Sequence, residues 1–188
     1  MWAYIVCAVI WVAIIAGWLI PVIRKRIFYE VYMACGLGIL FSLIILGQIA
    51  SIWERSAIHP LLYIGYVLYV PAAALVISSF INLKEKGEPE SGWEHTTVII
   101  GSGVFRIVRH PLYLGSAFFV GGLILIIQSI PSTILGLVAI FCFWRASKGE
   151  DEFNVKKFGE EYRKYMAEVP RWNLFKGLKQ FASKSVKG

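Results

Sequence analysis

PLYLGSAFFVGGLILIIQSIPSTILGLVAIFCFW, residues 111–144, carries no charged side chain over 34 positions. As one helix it would be about 51 Å long, at ~1.5 Å per residue. A hydrocarbon core is only ~30 Å thick, so a single pass does not fit. Gln128-Ser129-Ile130-Pro131-Ser132 interrupts the apolar run at its middle, where proline cannot continue a helix. The stretch therefore reads as a helical hairpin of two spans, about 112–128 and 131–147, the second continuing past Arg145. A re-entrant hairpin is the alternative.

Three more uncharged runs precede it, giving spans at about 1–23, 31–53 and 60–83. Each is long enough to cross a bilayer, which needs ~20 residues. The expected fold is an all-α integral membrane protein with about five transmembrane helices, one domain over 1–188. The first run has no basic residues ahead of it, and its charges follow at Arg24, Lys25 and Arg26. It reads as a retained anchor rather than a cleaved leader.

Composition agrees. Of the 188 residues 57% are apolar and 16% charged, against roughly 25% charged in an ordinary soluble domain. The net charge of +7 would suit nucleic acid, but in a membrane protein it reads as basic cytoplasmic loops. No nucleic-acid partner is expected. With five spans, 18 of the 19 Lys and Arg residues fall on one side, and only Arg55 falls on the other. That places the amino terminus outside and the carboxyl terminus in the cytoplasm. Cys7, Cys35 and Cys142 lie far apart in apolar runs, which indicates neither a disulfide framework nor a zinc site.

The spans hold no ionisable group at their middle, which disfavours a pump or ion-coupled transporter. Chemistry-bearing residues gather in the cytoplasmic connector 84–110 and the tail from Arg145. They form three clusters: Glu94-His95-Thr96-Thr97-Val98 with Gly101-Ser102-Gly103; Arg109-His110-Pro111-Leu112-Tyr113-Leu114-Gly115; and Arg145 with Glu150-Asp151-Glu152. Gly101-Ser102-Gly103 lacks the third glycine of a dinucleotide fingerprint and reads as a turn, open to close approach of a ligand. The tail begins with a helical pattern at Phe158, Tyr162, Tyr165 and Val169, ended by Pro170. Beyond it, Trp172, Leu174, Phe175, Leu178 and Phe181 alternate with Lys176, Lys179, Lys184 and Lys187. Two readings stand for that segment: a helix lying on an anionic leaflet, or a frayed basic tail.

The order RHPLYLG, hydrophobic hairpin, acidic pair, Phe158-Gly159-Glu160-Glu161-Tyr162 and Val169-Pro170 resembles the isoprenylcysteine carboxyl methyltransferase family, in its small prokaryotic form. The likeness covers about 92–172, and a looser RHPxYxG also occurs in phospholipid methyltransferases. The resemblance implies methyl transfer from S-adenosylmethionine, leaving S-adenosylhomocysteine, to the C-terminal carboxylate of a prenylated cysteine at the cytoplasmic face. It also implies a cofactor pocket built from the connector and the C-terminal helix. His95, Thr96, Thr97, Val98, Phe105, His110, Pro111, Leu112 and Tyr113 would line it, with Glu150 accepting from the cofactor ammonium. Arg145 would orient the substrate carboxylate, and Arg109 would assist either ligand or bind lipid phosphate. The acidic pair here is Glu150-Asp151, where the family usually carries two glutamates. A phospholipid or small-thiol methyltransferase is the nearest alternative, and a non-catalytic membrane scaffold the next. The membrane-dissolved acceptor and the oligomeric state stay open.

The acceptor chemistry is consistent with this inventory. An α-carboxylate, with a reference pKa of about 3.3–3.7, is already ionised at neutral pH. It needs positioning in line with the methyl group rather than a strong base.

Overall fold

A computed structural model describes residues 1–53, 58–86 and 98–185. Among them every regular element is helical, and there is no strand. In chain order these are α1 (Trp2–Arg24), α2 (Phe28–Ile49) and α3 (His59–Lys86), then a 3-10 turn at Gly103–Arg106, α4 (Pro111–Ile127), α5 (Ile130–Phe158), α6 (Glu160–Glu168) and α7 (Leu174–Ser185). Helices α1, α2, α3 and α5 are long and apolar enough to cross a membrane. The chain is an all-α integral membrane protein. Helix α4 has 17 residues, about 26 Å of helix, so it is the short arm of the hairpin. Many large apolar side chains lie on the outside of the spans, Val12, Val67, Val70, Ile134 and Phe141 among them. A bilayer solvates these faces as well as a protein core would.

The break after α4 has a clear cause. Gln128 takes a left-handed backbone, φ 50°, and ends the helix. Its amide then grips the backbone of Ile58 twice: Ile58 N–H donates to Oε1 at 2.9 Å, and Nε2 donates to the Ile58 carbonyl at 3.0 Å. Ser129 and Ser132 open α5 with a reciprocal cap, each hydroxyl accepting the other's backbone N–H at 3.2 Å. This is the logic of a capping box with serine in both places. Proline shapes α1 as well. Pro21 cannot donate a backbone hydrogen bond, and the turn before it, Ile15–Leu19, widens to a π-helix in which Ile20 N–H reaches the Ile15 carbonyl.

The described residues group into two compact units: Met1–Ala72 with Ser116–Gly149, and Ala73–Gly115 with Glu150–Gly188. The first is built on close helix approach. A Cβ on Gly122 would stand 2.8 Å from the Gly65 carbonyl oxygen, and one on Gly65 would stand 2.9 Å from that of Gly122. Two backbones therefore touch where α3 meets α4, which only small residues permit. Tyr69 stacks on Phe119 beside this point, centroids 4.4 Å apart. Gly122 thus serves helix packing. Phe143, essentially fully buried, fills the space over Gly36. Trp11 donates to Ser42 Oγ at 3.1 Å, so the indole N–H of an apolar span is satisfied.

The second unit has its own core in Leu75, Ile100, Val108, Tyr113, Leu114, Tyr162 and Val169. Gly159, at φ 61°, turns the chain from α5 into α6, a conformation that glycine adopts without penalty. Gly103 is constrained twice, by φ 57° and by Asn82, whose amide oxygen would lie 2.4 Å from an added Cβ. Of the two connector glycines read as places for ligand approach, Gly103 is occupied by a side chain of α3, whereas Gly101 has open space beside it.

Candidate active site

The second unit places a buried ion network at the junction of three segments. His110 precedes α4, and its carbonyl accepts from Leu114 N–H at 3.1 Å. Pro111 stands at the first helical position, where its missing N–H costs nothing. This arrangement holds Arg109 and His110 side by side at the start of α4. Glu150 and Asp151 lie on α5, and Tyr162 on α6.

Asp151 is the hub. It is 2% exposed, and its carboxylate accepts from four side chains. Oδ1 takes His110 Nε2 at 2.8 Å, Tyr162 OH at 2.8 Å and Arg109 Nε at 3.3 Å. Oδ2 takes Arg171 Nε at 2.7 Å and Arg109 Nη2 at 3.0 Å. Burial pushes the Asp151 carboxyl up, but hydrogen bonds and charge from His110 and Arg109 outweigh it. The group is held well below the usual carboxylate range. An ionised carboxylate only accepts, so His110 Nε2 carries a proton in this contact. Burial raises the phenols of Tyr162 and Tyr165, assisted at both by the negative charges of Asp151 and Glu150. Tyr162 therefore remains a donor.

Arg109 is consumed by this network. Besides Asp151, its Nη1 donates to the Met166 carbonyl at 2.9 Å and to the Val169 carbonyl. Its own backbone N–H donates to the Pro170 carbonyl at 3.0 Å. The guanidinium thus closes the C-terminal end of α6, where carbonyls have no helical partner. At 8% exposure it is a strut between segments.

Glu150 differs from its neighbour. Its side chain is 31% exposed, and its Oε2 lies 3.9 Å from His110 Nδ1. The two carboxylates flank one imidazole, Asp151 bonded to it and Glu150 facing it. Glu150 is therefore the acid within reach of a soluble cation.

The other expected residues are distributed as follows. His110, Pro111 and Tyr113 are buried together at the start of α4, the His110 and Tyr113 rings 5.7 Å apart. Leu112 is half-buried on the same turn. Phe105 lies in the 3-10 turn, its carbonyl accepting from Tyr165 OH at 2.7 Å. Val98 is exposed at the start of the described connector. His95, Thr96 and Thr97 lie outside the described residues. Arg145 belongs to the first unit, half-buried, with its guanidinium 5.4 Å from the Tyr32 ring centroid. Arg171 and the hub role of Asp151 were not anticipated. The partners of Asp151 lie 11 to 42 residues away in sequence, so no local pattern marked their convergence.

Comparison with known proteins adds the chemistry. Residues 61–161 match the model of the phospholipid methyltransferase family, which takes in most of α3, the connector, α4, α5 and the first two residues of α6. That family lies within the isoprenylcysteine carboxyl methyltransferase-like superfamily. Neither a curated protein nor a solved structure matches the chain. The match spans more than half of the sequence and contains the Arg109-His110 and Glu150-Asp151 pairs at the centre of the buried network; the chain belongs to the phospholipid methyltransferase family, a family of membrane methyltransferases.

Proposed function

We propose that the protein transfers a methyl group from S-adenosylmethionine to a membrane-dissolved acceptor, and that the acceptor group is the terminal carboxylate of a prenylated cysteine. The observation that carries the cofactor reading is the pair of unlike acids on α5. Asp151 is saturated by donors from four side chains, whereas Glu150 keeps a half-buried carboxylate beside His110. Such a carboxylate suits an α-ammonium group, so the residues present fit the cofactor. Phe105 and Leu112, both half-buried, and the exposed Val98 offer apolar surface for the rest of the cofactor. When bound, S-adenosylmethionine supplies an electrophilic sulfonium methyl.

The chain's own part is binding, orientation and exclusion of water. Glu150 holds the cationic end of the cofactor. His110, fixed in ring orientation by its bond to Asp151, whose Oδ1 Tyr162 also holds, keeps its Nδ1 edge toward Glu150. Arg145 orients the acceptor carboxylate, since a planar guanidinium fork matches two oxygens. No general base is required for an acceptor that is already ionised.

The family description favours a second reading, in which a phospholipid headgroup amine is the acceptor. An amine must first lose a proton. In this network His110 Nε2 is committed as a donor to Asp151, leaving Glu150 or the Nδ1 edge for that role. The test is in two steps. Calorimetric titration of purified protein with S-adenosylhomocysteine should give saturable binding that Glu150→Gln loses. Radiolabelled methyl transfer to a farnesylcysteine analogue and to phosphatidylethanolamine then separates the acceptors. A base-labile product that Arg145→Ala fails to form supports the carboxylate reading. A base-stable product on the phospholipid overturns it in favour of the amine, and no cofactor binding by folded protein removes both.

A further inference from the structure

Helix α7 has one face held by the protein and another that faces outward. Asn173 caps it, Oδ1 accepting Lys176 N–H at 2.9 Å. On the held side Gly177 is buried against the backbone of Ile107, where any Cβ would collide with the carbonyl oxygen. Phe181 receives the Arg106 guanidinium 5.4 Å from its ring centroid. The helix is thus pinned to the segment after the 3-10 turn, which disposes of the frayed-tail reading for its described part.

The outward face is apolar where water would disfavour it. Phe175 is 86% exposed and Leu178 is 45% exposed, and Ala182 is exposed as well. Spaced by three and four, these residues form one stripe. Exposed Lys179 borders it and Lys176 follows, with exposed Arg106 beside the same helix. An isolated exposed apolar residue is ordinary. A phenylalanine, a leucine and an alanine in register, flanked by cations on a helix held rigid from behind, form the pattern of an interfacial helix.

We propose that α7 docks its Phe175–Leu178–Ala182 stripe into the headgroup region of an anionic leaflet, with Lys176 and Lys179 contacting lipid phosphates. The occupant follows from charge complementarity: cations bordering an apolar stripe in a chain already resident in a bilayer match acidic lipid rather than zwitterionic lipid. The docking is independent of which acceptor is methylated.

The test uses the full chain in nanodiscs of phosphatidylcholine alone and of phosphatidylcholine with phosphatidylglycerol. Cys7, Cys35 and Cys142 are replaced by alanine, and an environment-sensitive fluorophore is carried at Ala182→Cys, or at Ala167→Cys, an exposed position on α6. In anionic discs the label at 182 should be quenched by lipid-borne nitroxide and shielded from aqueous iodide, while the label at 167 stays open to iodide. Phe175→Ser should abolish the shielding, and Lys176→Gln and Lys179→Gln should each weaken it about fivefold. Equal iodide access at both positions in anionic discs would overturn the proposal. Equal shielding at 182 in discs of phosphatidylcholine alone would also overturn it, because acidic lipid would then not be what the helix recognises.

Discussion

Replacing Asp151 with asparagine tests whether the buried network is what organises the second unit. The substitution keeps side-chain volume and removes one acceptor oxygen and the charge. If the amide nitrogen takes the Oδ2 position, Arg171 Nε and Arg109 Nη2 each face a donor instead of an acceptor. If it takes Oδ1, the donors from His110, Tyr162 and Arg109 Nε are opposed instead. In either orientation at least two hydrogen bonds are lost, and Arg109, with 7% side-chain exposure, keeps a charge without its counterion. Breaking a buried ion pair from one side costs about 3–5 kcal/mol. For a chain of this size each kcal/mol moves the melting midpoint by roughly 2–4 °C, so the expected fall is roughly 6–20 °C. The assay is thermal unfolding in mild detergent, followed by near-ultraviolet circular dichroism, with Glu152→Gln as the control. Glu152 is exposed one residue further along α5, and its replacement should change stability by less than about 0.5 kcal/mol. A midpoint for Asp151→Asn equal to that of the control would refute the assignment of Asp151 as the hub.

Three further outcomes follow from the same contacts. Because the folded protein holds the Asp151 carboxyl below its ordinary value, its stabilising contribution is complete above the unfolded value of about 3.9 and is lost as pH falls from there toward the folded value. Wild type should therefore lose more stability on acidification through that window than Asp151→Asn does, measured by unfolding midpoints across pH. Gly122→Ala would put a methyl group 2.8 Å from the Gly65 carbonyl, forcing α3 and α4 apart at a cost of about 1–3 kcal/mol, seen as a lowered midpoint. Glu150→Gln should leave the melting midpoint of the ligand-free protein within the range of the Glu152 control while losing S-adenosylhomocysteine binding, so that the two adjacent acids separate stability from ligand affinity.

The two neighbouring acids illustrate how much was readable in advance. Sequence order singled out the pair and the Arg109-His110 motif, because a charged cluster next to an apolar hairpin has few bland explanations. It did not distinguish the two carboxylates, since residues adjacent on a helix project about 100° apart and their surroundings come from other segments. Arg109 shows the same limit from the other side. Beside a membrane span it invites a lipid or ligand role, yet its donors reach Asp151, Met166 and Val169, residues far along the chain.

What the sequence determined by itself is the set of local, periodic features. Runs of uncharged residues set which segments suit hydrocarbon, Gln128 to Ser132 set the hairpin break, Pro111 set where α4 begins, and Pro170 set the end of the tail helix. These depend on solvation and backbone geometry over a few residues, so they survive without knowledge of partners. Only the tertiary structure decided which groups meet. It made Asp151 a saturated hub, left Glu150 open, turned Gly65 and Gly122 into one contact, and gave α7 a held face and a free one. Each is a matter of distance between segments remote in sequence, set by the turn at Gly159 and by the close approach of helices, which composition and spacing do not encode.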